Sequence, residues 1–244
     1  MSQKIKNPNE KGSGFIVGII ALIAIVAVVI GVVLYMGRNQ PIEGLPDEDV
    51  SFSVQADGNV VRLASDEAGD DAVVAEVYED YSCSYCAEMA NGGHADQLEA
   101  LNNGELVVEY HPLNFLDREN IEGHSTKTLA LMKRVAETGD ARLYWNVHTL
   151  MLEDIQSAAK WDDEQLAERL EMMGAPSDLV DDVRNGALDR DAANAIGTAN
   201  GEKLSGVTGS VSSPHVIVDG EEVTPKEAVT LGEWVKVALE AGKA

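Results

Sequence analysis

The sequence predicts an α/β domain carried behind one N-terminal membrane span, and three observations predict it. The only two cysteines, Cys83 and Cys86, stand directly after an apolar, β-branched run. A second such run, residues 106–110, follows after a helix-length interval, and a strand, helix, strand unit of that length implies a parallel crossover. Residues 15–36 are 22 uncharged, almost wholly apolar positions, enough to cross a bilayer.

The first fourteen residues carry Lys4, Lys6 and Lys11 against Glu10, and Glu43, Asp47, Glu48 and Asp49 follow the span. That asymmetry puts the N-terminus in the cytoplasm. The apolar stretch is too long for a signal-peptide core and no small-x-small site closes it, so an uncleaved signal anchor is expected. The expected organisation is a cytoplasmic tail over 1–14, a transmembrane signal anchor over 15–36, a stalk over 37–50 with Pro41, Gly44 and Pro46, and one domain over 51–244. A single-pass protein of the cell membrane is therefore expected, its C-terminal domain extracytoplasmic, where disulfides form and persist. Gly14-x-x-x-Gly18 at the edge of the span is read as chance spacing rather than a dimer motif.

The chain has 42 Asp plus Glu against 18 Lys plus Arg, a formal charge of −24. Such a surface argues against nucleic acid or anionic lipid as a partner of the folded domain.

Within the domain, residues 51–55 and 59–63 alternate across Ala56-Asp57-Gly58 and read as a hairpin. Residues 72–78 read as a buried strand. Residues 87–101 carry helix formers, with a kink or break expected at Asn91-Gly92-Gly93. The strand over 106–110 is expected to end at His111-Pro112. Helices follow over about 122–137, 141–151, 162–173, 177–185 and 187–203, stopped by Gly139, Gly174-Ala175-Pro176 and Gly186. Trp145, Leu150, Leu152 and Trp161 are expected in the core between them, and His148 is read as packing or surface. Asp219-Gly220 is a two-residue hairpin turn between residues 216–218 and 221–223. A capping box at Thr230-Leu231-Gly232-Glu233 opens a last helix, with Trp234, Val237 and Ala238 for its buried face.

This layout places Cys83 at a strand-to-helix turn, where unpaired N–H groups and the helix dipole favour a thiolate. A Cys-x-x-Cys in that setting is a redox signature in which Cys83 attacks and Cys86 resolves. Two other readings compete. Half a zinc site lacks partners, because His94, His111, His124, His148 and His215 show no paired spacing. A structural disulfide over so short a loop would restrict the unfolded chain little.

Three segments together carry a resemblance: Glu79-Asp80-Tyr81-Ser82-Cys83-Ser84-Tyr85-Cys86, Tyr110-His111-Pro112-Leu113, and the stretch from Gly206 through Ser212-Ser213-Pro214-His215 to Gly220. From about residue 51 to 243 the chain resembles a membrane-anchored bacterial protein of the DsbA-like thiol:disulfide oxidoreductases. The resemblance implies a thioredoxin fold with a helical subdomain inserted over about 116–205. It implies Cys83, Cys86 and a cis-proline, Pro214, as the catalytic set, with Ser213, Ser84 and Tyr85 beside the substrate. It also implies oxidation of exported proteins with free cysteines and re-oxidation by a quinone-linked membrane partner; no cofactor and no metal are expected. A reductase or isomerase on the same fold, or a non-enzymatic chaperone with an incidental disulfide, are the alternative functions. The chain departs from the family in two places. The buried acid that ferries the second cysteine's proton is replaced by Val77, leaving Glu76, Glu79 or water as the relay, and Tyr85 stands where the strongest oxidants carry histidine.

Overall fold

The computed structural model describes residues 17–23, 25, 26, 28 and 44–243. Residues 17–23 are helical, and among the described residues no helix is long and apolar enough to cross a membrane. The expected tail over 1–14, most of the anchor over 15–36 and the first half of the stalk lie outside the described residues.

Residues 42–244 form one unit built on a six-stranded sheet of order β1-β2-β4-β3-β5-β6. Its strands are β1 (Phe52–Asp57), β2 (Val60–Ser65), β3 (Val73–Asp80), β4 (Leu106–Leu113), β5 (His215–Val218) and β6 (Glu221–Glu222). β3 and β4 pair in parallel, as the length between them requires, and the other pairs are antiparallel. Both lie inside the sheet, and both read as nearly unbroken buried runs, the pattern of strands covered on two faces. Asp219 and Gly220 take φ of 51° and 82°, as the tight hairpin between β5 and β6 demands.

Helix α1 (Ser84–Asn102) follows β3 directly. Between β4 and β5 come a 3-10 turn (Phe115–Asp117) and α2 (His124–Ala136), α3 (Ala141–Glu153), α4 (Ile155–Ala158), α5 (Asp163–Met172), α6 (Ser177–Arg184) and α7 (Arg190–Thr208). A second 3-10 turn (Ala228–Glu233) leads into α8 (Trp234–Ala241). One sheet face, with Val73, Ala75, Val77, Val108 and Tyr110, packs in a common core with Met89 and Leu101 of α1, Trp145 and Leu152 of α3 and Trp234 of α8. Phe52 meets Trp145 edge to face at 5.8 Å, worth about 0.5–1.5 kcal/mol beyond burial. On the opposite face Tyr78, Leu113 and Ile217 pack on Leu204 of α7. Trp145, Leu150 and Leu152 are buried as expected, and Trp161 lies under the Arg169 guanidinium at 4.1 Å.

Four expectations are corrected. α1 runs unbroken through Asn91-Gly92-Gly93, because its glycines serve close approach. A Cβ on Gly92 would stand 2.7 Å from Gly232 Cα, and one on Gly93 2.3 Å from Trp234 Nε1. β4 continues through His111-Pro112 to Leu113. β2 pairs with it only as far as Tyr110, so one edge is open where a residue lacking an N–H can sit. No capping box opens α8: Thr230 lies in the 3-10 turn and its hydroxyl donates to Glu227 O, while Val235 rather than Val237 is buried. The far end of the expected stalk is docked on the domain. Glu48 accepts from Trp145 Nε1 at 2.8 Å and pairs with His94, while Arg142 binds Asp47 and Asp49.

Candidate active site

β3 ends at Asp80 and α1 begins at Ser84, so the loop between them holds Cys83 as the residue capping α1. Asp80 shapes this turn. Its carbonyl accepts from Cys83 N at 2.9 Å, and its own N–H donates to Cys86 Sγ at 3.5 Å. Its buried carboxylate accepts from Ser82 N at 2.9 Å, Leu116 N at 3.1 Å and Ser125 Oγ at 2.5 Å. Burial pushes the Asp80 carboxyl up, against those three donors, which lower it.

Both cysteines are thiols here, and the fold sets them far apart chemically. Cys83 is held down at about 6. The Cys86 thiol beside it is the largest cause; burial opposes it, while Ser213 and the N–H groups of Cys86 and Tyr85 lower it further. Cys86 is wholly buried, and burial followed by the neighbouring Cys83 sulfur pushes it well above its ordinary range. A low first thiol and a high second one suit nucleophile and resolver, since the thiolate is the form that attacks and the better leaving group.

The Ser213-Pro214 peptide bond is cis, and the Cys83 thiol donates to Ser213 O at 3.5 Å. Beside them an open groove of about 340 Å³ is lined by Tyr85, Ser213, Pro214 and Leu231 among others. Tyr85 is 53% exposed, and Ser84 is exposed too. His215 has both ring nitrogens engaged, Nε2 with Ser212 Oγ and Nδ1 with Glu222 Oε1, each at 2.7 Å.

The two relay candidates lie on opposite faces of β3, as alternation along a strand requires. The structure does not bring Glu76 to the cysteines. It sits on the α7 face, bonded to Tyr78 and Lys203. Glu79 is buried on the α1 face, where its Oε1 meets His148 Nε2 of α3 at 2.7 Å. The rings of Tyr81, Tyr110 and Tyr144 surround His148, and burial pushes all three phenols well up.

Sequence reasoning missed Asp80 and His148. Asp80-x-Ser82 carries the pattern in which an Asp side chain binds an N–H two residues on, and that pattern points to the turn. Nothing local pairs His148 with Glu79, 69 residues away.

Comparison with known proteins agrees with this geometry. A protein-family model described as Thioredoxin matches residues 68–237. The structure of MdbA, a thiol-disulfide oxidoreductase from Corynebacterium diphtheriae, is 34% identical and superposes with a TM-score of 0.73 over 79% of this chain and 95% of that one. MdbA from Corynebacterium matruchotii is 33% identical, with a TM-score of 0.69 over 77% and 92%. DsbA from Mycobacterium tuberculosis, at 19% identity and a TM-score of 0.54 over 75% and 97%, shares the fold. The serine/threonine-protein kinase PknE of Mycobacterium tuberculosis is 27% identical over 141 residues, 55% of this chain. The chain spans only 25% of that kinase's length.

Proposed function

Because the chain belongs to the thioredoxin family and is a DsbA-like thiol:disulfide oxidoreductase, we propose that it is a membrane-anchored, extracytoplasmic oxidase of exported proteins. The observation that carries this direction is the contrast between Cys83, held at about 6, and Cys86, pushed well above its usual range. A stabilised Cys83 thiolate favours the reduced enzyme, which makes its disulfide a better oxidant.

In the forward reaction a substrate thiolate approaches along the groove at Tyr85 and Ser213 and attacks Cys83 Sγ of the Cys83–Cys86 disulfide. A mixed disulfide forms and Cys86 leaves as a thiolate. Its high proton affinity makes it take up a proton, and Glu79 with His148, buried on the same sheet face, supplies the path. A second substrate thiolate then attacks the substrate sulfur of the mixed disulfide, and Cys83 leaves as a stable thiolate. The substrate has lost two electrons, which the dithiol holds until a quinone-linked membrane oxidase accepts them. Residues 15–36 anchor the domain with the N-terminus in the cytoplasm, a reading supported by their apolarity and by Lys4, Lys6 and Lys11.

Trapping in cells tests this function. Cys86→Ala leaves Cys83 to form mixed disulfides that no enzyme thiol resolves, so adducts with exported proteins accumulate, and Cys83→Ala abolishes them. Absence of adducts in Cys86→Ala cells would count against the oxidase.

A further inference from the structure

The α7 face of the sheet carries a cluster that the thiol chemistry does not use. Glu76 and Glu109 are in-register neighbours on β3 and β4, and His111 lies opposite Tyr78, two residues further along. Like charges directly across a strand pair repel. Here the two carboxylates and the imidazole offer ligand atoms all within 4.8 Å of one another.

The imidazole is the informative member. His111 is 1% exposed, stacked on Tyr78 with ring centroids 4.5 Å apart. The Asn200 amide is fixed by donating to Asn59 O and Pro112 O, each at 3.0 Å. Its Oδ1 therefore faces His111 Nδ1, at 3.5 Å, and can only accept, so Nδ1 carries the hydrogen. That leaves Nε2 as a lone pair. Among the described residues it is buried without a hydrogen-bond partner and aimed at Glu76 Oε2, itself an acceptor, 3.6 Å away. Glu76 Oε2 accepts from Tyr78 OH at 2.7 Å and Lys203 Nζ at 2.8 Å, but neither donor is bonded to Nε2, and a cation held between the two acceptors would satisfy that lone pair.

We propose that Glu76, Glu109 and His111 form a binding site for one divalent metal ion of the Zn²⁺ class. Imidazole nitrogen and carboxylate oxygen are ligands this ion takes at about 2.0–2.2 Å. Two such atoms around a tetrahedral centre stand roughly 3.4 Å apart, close to the observed 3.6 Å between His111 Nε2 and Glu76 Oε2. The hydrogen bond from Nδ1 to Asn200 is the outer contact that orients a metal-binding histidine. The Glu76 and Glu109 side chains are 27% and 26% exposed, which gives an entry path and room for water as a fourth ligand. Without metal, Lys203 Nζ at 2.8 Å from Glu76 and Arg62 Nη1 at 2.5 Å from Glu109 balance the charge. Both are long side chains at the rim, 48% and 37% exposed, and the ion displaces them.

Calorimetric titration of the oxidised protein with Zn²⁺, in excess Mg²⁺ to occupy the acidic surface, tests the site; the Cys83–Cys86 disulfide removes the thiols as competing ligands. One equivalent should bind, and Co²⁺ in its place should give a visible ligand-field spectrum. Losing a ligand in Glu109→Gln or His111→Gln should weaken binding at least as much as the ~10- to 100-fold cost of losing an orienting outer contact. Lys203→Met removes the competing cation and should tighten binding, whereas Glu168→Gln on α5 should leave it unchanged. Should His111→Gln misfold, Glu109→Gln and Lys203→Met, both at the surface, decide the matter. No saturable binding, or stoichiometric binding that survives Glu109→Gln and ignores Lys203→Met, would overturn the proposal.

Discussion

Cys83 caps α1 and Cys86 lies in its first turn, where the Cys86 thiol is the chief reason the Cys83 thiol is held at about 6. Two backbone N–H groups at the helix start and Ser213 add to it. Ultraviolet titration of the reduced protein should therefore show a thiolate midpoint near 6, and Cys86→Ala should move it upward. A midpoint near the free-cysteine value of about 8.5 would show that neither the Cys86 thiol nor the helix terminus activates Cys83.

The same shift makes stability depend on redox state and pH. Cys83 is depressed in the folded reduced protein to about 6, below the ~8.5 of an unfolded thiol. A depressed group contributes stability that is fully present above the unfolded value and is lost as pH falls through the folded one. The oxidised protein has no thiol to titrate. Melting of the two forms from pH 5 to about 8.5 should show the reduced form gaining on the oxidised form as pH rises. A gap independent of pH would contradict the assigned thiolate.

Glu79→Gln separates structure from proton transfer. The amide can still bond His148 Nε2, so stability should change little. Glu79→Leu strands that nitrogen in the core and should cost about 1–3 kcal/mol in urea unfolding. If the pair carries the Cys86 proton, both variants should slow reduction of the disulfide by a thiol peptide by about tenfold, water replacing part of the ~10²-fold a positioned group supplies. A wild-type rate in Glu79→Gln would leave the pair a structural one.

Gly93→Ala should destabilise the fold although alanine favours a helix by about 1 kcal/mol. The new methyl meets Trp234 at 2.3 Å, and overpacking of this kind costs about 1–3 kcal/mol. Gly206→Ala on α7, where nothing among the described residues lies within 4 Å, should be neutral or stabilising. Thermal melts of the two variants decide between a packing glycine and an idle one.

Local signals made much of the fold legible. The β3–α1–β4 unit, the helices between β4 and β5, and the Asp219-Gly220 turn announce themselves through periodicity and punctuation. The errors came where a residue answers to a distant partner. Gly92 and Gly93 look like a helix break until Gly232 and Trp234 arrive from about 140 residues away. His148 looks idle until the fold buries it against Glu79. At the candidate site, Cys83 and Cys86 were visible from spacing and the serine-proline pair only through resemblance, while Glu76 and Glu79 were separated by strand alternation that a bulge could have reversed.

The reduction potential of the Cys83–Cys86 couple, equilibrated against glutathione, tests the proposed direction most directly. An oxidase with a depressed Cys83 should lie between about −180 mV, the value of protein disulfide isomerase, and about −120 mV, that of the strongest DsbA oxidant. A potential of about −270 mV or lower, the range of thioredoxin, would contradict the oxidase and make the couple a reductant.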